Sequence, residues 1–188
     1  SAVARNASEG RGALEQLVLP LGFARLYLRT GPAASGPARA HVALDLPSLL
    51  ATAYFAFRRD AELDLIASLS AGTPVFATRV RWADGYWAGD QVAGVIWLRG
   101  NPDDPTPDAE RGAVLAHERV HVLQYDFSFL LWSDPAERWL AERVAGGAWI
   151  ERRLDLGLHL APWALANRLL PYELRPWEQE AYFLSRVR

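Results

Sequence analysis

Residues 114–127 read VLAHERVHVLQYDF and carry two of the chain's four histidines, with a glutamate directly after the first. If His117 and His121 act together, this stretch has to be helical. Four positions apart on a helix, they project from one face about one turn from each other, so both imidazoles can converge on one ion. Glu118 lies roughly 100 degrees round from His117, able to reach a water on that ion without ligating it. Two neutral imidazoles holding Zn²⁺, a bound water made acidic by the ion and a carboxylate to take its proton are the parts of metal-assisted hydrolysis.

With four histidines and eleven glutamates in 188 residues, His-Glu-x-x-His arises by accident in roughly one such chain in two hundred. Its context therefore has to carry weight. Cysteine is absent, so any metal must be held by His, Asp or Glu, and no disulfide helps the fold. Hydrophobic residues make up 51% of the chain, enough for one core, and the expectation is a single domain over 1–188. The formal charge is -2, lysine is absent, and arginines such as Arg59, Arg79, Arg119 and Arg152 are dispersed among acids. No basic tract suits a nucleic-acid partner. The chain begins at Ser1 and shows no basic start followed by an apolar signal segment, so the expectation is a processed or trimmed chain. Location stays open: exported, membrane-associated or cytoplasmic.

Along the chain, residues 1–71 read as a mainly helical start. Pro20 and Gly22 interrupt its first apolar piece, and Asp45 caps one long or two short helices with a break near 58–60. Residues 72–100 read as a small antiparallel sheet: Phe76, Thr78, Val80 and Trp82 alternate with Ala77, Arg79 and Arg81, and a β-branched run follows at 92–100. Residues 106–188 form the metal-binding helical part. Thr106 and Pro107 open a helix over about 107–125, and Asp134, Pro135 and Glu137 form a capping box for a helix extending to Gly157. A last helix starts at Pro176. Neither apolar stretch, 46–57 or 156–170, reaches the roughly 20 residues of a membrane span.

Zinc needs a third protein ligand. Spacing alone leaves Glu137, Glu142, His159, Glu178 and Glu180 open. The metzincin continuation, Gly and then His beyond the second histidine, is missing. Glu142 has the spacing of thermolysin-like enzymes without the Asn and Asp usual around that ligand. The closer match is the pair of stretches His121-Val122-Leu123-Gln124-Tyr125 and Pro176-Trp177-Glu178-Gln179-Glu180-Ala181-Tyr182. Together they resemble the gluzincin metallopeptidases related to the prenyl-protein endopeptidases, and small bacterial peptidases of that type, over about residues 92–184. The resemblance implies an α+β, zincin-like fold, mostly helical with a small antiparallel sheet before the motif helix. It implies Zn²⁺ held by His117, His121 and Glu178, with Glu180 as the alternative ligand and Glu118 as general base. It also implies a peptide or protein substrate lying as an added strand along 93–100. Where those endopeptidases have an aspartate this chain has Tyr182, so the bond that would orient a histidine is in question. Tyr182, Tyr172 and Arg175 are candidate oxyanion donors, each balanced by ordinary packing at a helix end.

His41 reads as a surface or satisfied histidine, and His159 as a packed one. Trp132, Trp149, Trp163 and Trp177 read first as core. The Trp- and Leu-rich second half also suits an apolar surface meeting a membrane interface or a protein partner. The expected function is a zinc-dependent peptidase. The alternative is a catalytically silent zincin-like domain serving as a binding or structural subunit, including one of a membrane complex.

Overall fold

The computed structural model describes Gly12 and residues 15–29, 39–58, 60–78, 88–99, 108–128 and 134–186. In chain order the elements are β1 (Gln16–Leu21), β2 (Ala24–Arg29), β3 (Arg39–Asp45), α1 (Leu46–Ala56), β4 (Ala61–Leu63), α2 (Leu65–Ala71), β5 (Val75–Thr78), β6 (Ala88–Val92) and β7 (Val95–Arg99). Then come α3 (Asp108–Ser128), α4 (Asp134–Ala141), α5 (Gly147–Arg153), β8 (Leu154–Asp155), α6 (Leu160–Leu169), a 3-10 turn (Tyr172–Leu174) and α7 (Pro176–Arg186). The architecture mixes helix and sheet, compatible with α+β. Where the sequence reading expects one domain, the chain divides into two compact units: 1–49 with 126–159, and 50–125 with 160–188. Among the described residues no helix is long and apolar enough to cross a membrane.

The first unit corrects the helical start. Residues 16–21, 24–29 and 39–45 are three antiparallel strands, and β8 adds in parallel to give the order β1-β2-β3-β8. Pro20 is tolerated because β1 is the outer strand. The alternation is disguised because one inward residue of β2 is a cation: Arg25 and Tyr27 are both buried. The Arg25 guanidinium contacts Asp155 at 2.7 Å, Asp45 at 2.8 Å and Asp126 at 3.1 Å. The helix expected to run from 134 to 157 breaks after Ala141. Glu137 Oε1 accepts from the backbone N–H groups of Leu156 and Gly157, each at 3.0 Å.

Of the one long or two short helices expected from Asp45, two form, α1 running into the second unit and α2 within it, separated by strand β4. Asp45 does cap α1, accepting from Ser48 N–H at 3.0 Å. A second cap, Asp64, accepts from Ala67 N–H at 2.9 Å, and α2 stops at Gly72 in the left-handed region (φ 73°). The sheet has the order β4-β5-β7-β6 and is mixed, since β5 and β7 run parallel. Residues 92–100 are not one strand, because Ala93 and Gly94 both take positive φ and turn β6 into β7. Val75, Ile96 and Leu98, all fully buried, pack with Ala67 against Val114, Leu115 and Val122 of α3. Phe55, Phe76, Val95 and Tyr125 form a second cluster. The helix-opening pair Thr106–Pro107 and the strand residues 79–82 lie outside the described residues.

Candidate metal centre

Two helices of the second unit build the site. The motif helix α3 begins at Asp108, close to the expected start, and its apolar stripe on the sheet fixes which way His117 and His121 face. Helix α7 begins at Pro176, where a proline's missing N–H matters least, and puts Glu178 in its first turn. The two run antiparallel: Gln124 meets Trp177 and Glu180, His121 meets Glu178, and His117 meets Tyr182.

The donor atoms of three side chains converge. His117 Nε2 and His121 Nε2 are 3.1 Å apart, His121 Nε2 and Glu178 Oε2 are 3.2 Å apart, and His117 Nε2 and Glu178 Oε2 are 3.5 Å apart. Tetrahedral zinc with ligand bonds of about 2.0–2.1 Å separates its donors by roughly 3.3 Å, so the triangle has the size the ion requires. Among the described residues this is the group of three potential ligand side chains whose donor atoms come together.

Gln124 fixes the chemistry of His121. Its amide nitrogen faces only acceptors, the Trp177 carbonyl at 3.0 Å and the Glu180 carboxylate at 2.9 Å. Its oxygen must therefore face His121 Nδ1, 2.7 Å away, and that nitrogen carries the proton. A neutral His121 then turns a bare Nε2 lone pair toward a carboxylate oxygen and a second imidazole nitrogen. His121 Nε2 and Glu178 Oε2 are then two acceptors 3.2 Å apart that need a proton or a cation beside them, and His117 Nε2, 3.1 and 3.5 Å from them, completes the triangle. The residues present fit a divalent cation on donor type, spacing and tautomer.

His117 has no such polar orienter. Its Nδ1 makes no hydrogen bond among the described residues. The Tyr182 ring lies 4.5 Å from its own and holds it by packing. Burial pushes the Glu178 carboxyl upward, but the neighbouring imidazoles of His117 and His121 and the Tyr172 hydroxyl outweigh it and hold it well below the usual carboxylate range. His121 is raised overall, with Glu178 and Gln124 outweighing burial.

Glu118 is only 5% exposed, and burial pushes its carboxyl up to about 7, opposed by His121 and helped by Asp90 and Glu178. It faces a cavity of about 370 Å³ lined also by Ala88 and Gly89 of β6, His117, Tyr172 and Tyr182. Strand β6 approaches α3 so closely that a Cβ at Gly89 would lie 2.6 Å from Glu118 Cγ. The strand beside the cavity is thus β6. The expected substrate edge, 93–100, is β7, whose two edges are already paired with β5 and β6.

The other candidates are occupied elsewhere. Glu180 binds Gln124 and stays out of the ligand triangle. Arg175 caps α6 through the carbonyls of Asn167 and Leu170 and does not line the cavity. Glu142 is exposed beside Arg143, and Glu137 is taken up by the backbone at 156–157. His159 is buried in the first unit, and burial, then the charge of Arg25, pushes it down to about 4. His41 stacks on Tyr27 across β2 and β3 at 4.7 Å. Of the tryptophans, Trp163 and Trp177 pack on each other, while Trp149 is exposed; Trp132 lies outside the described residues.

Three contributors escaped the sequence reading. Gln124 carries a signal, since it lies one turn beyond His121 on the same face. Gly89 and Asp90 carry none, because only strand pairing brings β6 beside α3. No protein-family model, curated protein or solved structure matches the chain.

Proposed function

We propose that the second unit is a zincin-like, zinc-dependent peptidase of the gluzincin type. His117, His121 and Glu178 hold the metal, and Glu118 moves the proton. The observation that carries this reading is the triangle of three potential ligand atoms around one point, with the His121 tautomer set by Gln124 so that its free lone pair faces that point. Zinc bound there would polarise a carbonyl and make a coordinated water acidic near pH 7.

The chain's own residues supply the rest. Glu118, buried and raised to about 7, is poised to accept a proton from water at its carboxylate and return it to the departing amine. Tyr182 lines the same cavity and offers an O–H donor where negative charge develops on the carbonyl oxygen, while the Tyr172 hydroxyl serves Glu178. Strand β6, the outer strand of the sheet among the described residues, offers backbone groups along which an extended peptide can lie.

The test pairs metal analysis with cleavage. Purified protein should hold about one zinc per chain, and Glu118→Gln should keep that zinc while losing cleavage of a quenched fluorescent peptide mixture. A chain that takes up no zinc when His117, His121 and Glu178 are intact overturns the reading. A wild type that binds zinc but cleaves no peptide or protein makes the domain a silent binding module.

A further inference from the structure

The cavity beside the ligand triangle has a direction. Because α3 and α7 are antiparallel, moving from His121 back along α3 means moving forward along α7, and the walls are Ala113, Val114 and Glu110 on one side and Tyr182 and Ser185 on the other. Glu110 and Ser185 are each seven residues from His117 and Glu178 respectively, roughly 10 Å along a helix at 1.5 Å per residue. The trough thus has a ligand end and, about 10 Å away, an end marked by Glu110.

Glu110 is half-buried and makes no hydrogen bond or ion pair with any described residue. No arginine lines the cavity among the described residues, and its ionisable lining besides the histidine and tyrosines is Glu110 and Glu118. Glu118 independently marks this space as one that receives a ligand. It is 5% exposed, aimed into the cavity and without a hydrogen-bond partner among the described residues. A peptide extended along β6 advances about 3.3 Å per residue, so a side chain two or three residues from the bond cut reaches Glu110.

We propose that Glu110 forms a subsite for a basic side chain of the peptide, an arginine or lysine two or three residues from the scissile bond. The proposal rests on the peptidase reading for the substrate's class, but the discrimination itself is a binding property. Glu110 also sits in the first turn of α3, where a carboxylate suits the helix dipole. That role affects stability and leaves peptide discrimination unmoved.

The experiment uses the zinc-loaded full chain carrying Glu118→Gln, so that peptides bind without turnover. Ten-residue fluorescent peptides carry one arginine at each position in turn, each with a counterpart in which citrulline, its neutral near-isostere, replaces it. At one or two neighbouring positions arginine should bind about five- to tenfold more tightly than citrulline. Adding Glu110→Gln should bring that ratio to about one while citrulline binding stays the same, and Glu110→Arg should reverse the preference toward a glutamate peptide. In the protein with Glu118 intact, kcat/KM should follow the same ratios. Equal binding of arginine and citrulline peptides, a ratio that survives Glu110→Gln, or no peptide binding overturns the subsite. Discrimination that Glu110→Gln abolishes, in a protein that cleaves nothing, keeps the subsite and removes the hydrolase.

Discussion

His121 Nδ1 donates to Gln124 Oε1 at 2.7 Å, and the same amide reaches across to the Trp177 carbonyl beside Glu178. One side chain therefore orients one histidine of the triangle and anchors the turn that carries Glu178. Gln124→Leu should release both and weaken zinc binding about 10- to 100-fold. Gln124→Glu keeps an acceptor for Nδ1–H but sets a carboxylate against Glu180 and the carbonyl, so it should fall between. Zinc competition gives the affinities, and ¹⁵N shifts of labelled histidine in metal-free protein report whether Nδ1 of His121 still carries the proton. Unchanged affinity and tautomer in Gln124→Leu would make the amide incidental.

Gly89 is needed for what a side chain would displace. A methyl group there would meet Glu118 Cγ at 2.6 Å, Glu118 Oε1 at 2.7 Å and Val114 Cγ1 at 2.7 Å, all closer than van der Waals contact allows. Gly89→Ala should move the Glu118 carboxylate and leave the ligand triangle on α3 and α7 intact. The expected outcome is zinc content equal to wild type with kcat lowered at least tenfold, since misplacing a proton-transfer group is expensive. Zinc content and kcat measured on one preparation check it, and full activity would mean that β6 yields freely.

What could be read from the sequence follows from what is local. The His117–His121 pair, the start of α7 at Pro176 and the cap at Asp45 depend on spacing and on residues a few positions away, and the helices stand where those signals put them. Glu178 came from resemblance, and its place beside His121 rests on a contact 57 residues distant in sequence. The first sheet stayed hidden because burial of Arg25 among three aspartates breaks the apolar alternation that marks a strand. The parallel pairing of β5 with β7, and with it the outer position of β6, depends on non-local pairing that no periodicity encodes.

That buried guanidinium sets a clear expectation for the first unit. Arg25 faces Asp45, Asp126 and Asp155, with Tyr27 donating to Asp155 at 3.2 Å. Burial raises the Asp155 carboxyl to about 6 even against the arginine's attraction. Arg25→Met would leave two buried carboxylates and the half-buried Asp126 without their cation and should cost about 3–5 kcal/mol. Arg25→Lys should rescue little, because one ammonium cannot reproduce the fork that contacts all three. Adding Asp155→Asn to Arg25→Met should recover part of the loss, and urea unfolding of the four proteins closes the double-mutant cycle with Asp155→Asn alone. Strict additivity would mean that Arg25 and Asp155 do not interact.

Glu118 gives the second unit a pH signature that metal-free protein reveals. Burial, opposed by His121 and reinforced by Asp90 and Glu178, moves its carboxyl from 4.5 up to about 7, whereas the unfolded chain ionises near 4.5. Between those values the folded state holds a proton that the unfolded state releases, so the contribution to stability is complete below 4.5 and is lost as pH rises through 7. Glu118→Gln keeps a neutral side chain of the same shape at every pH. In chelator-treated protein it should match wild type near pH 4.5 and exceed it above pH 7, by at most about 3 kcal/mol. Bound zinc favours the ionised carboxylate and should shrink that gap. Urea midpoints measured across this range, with and without metal, decide the matter: parallel curves for the two metal-free proteins would mean that Glu118 is already ionised at acid pH and is not held ready to take a proton near neutrality.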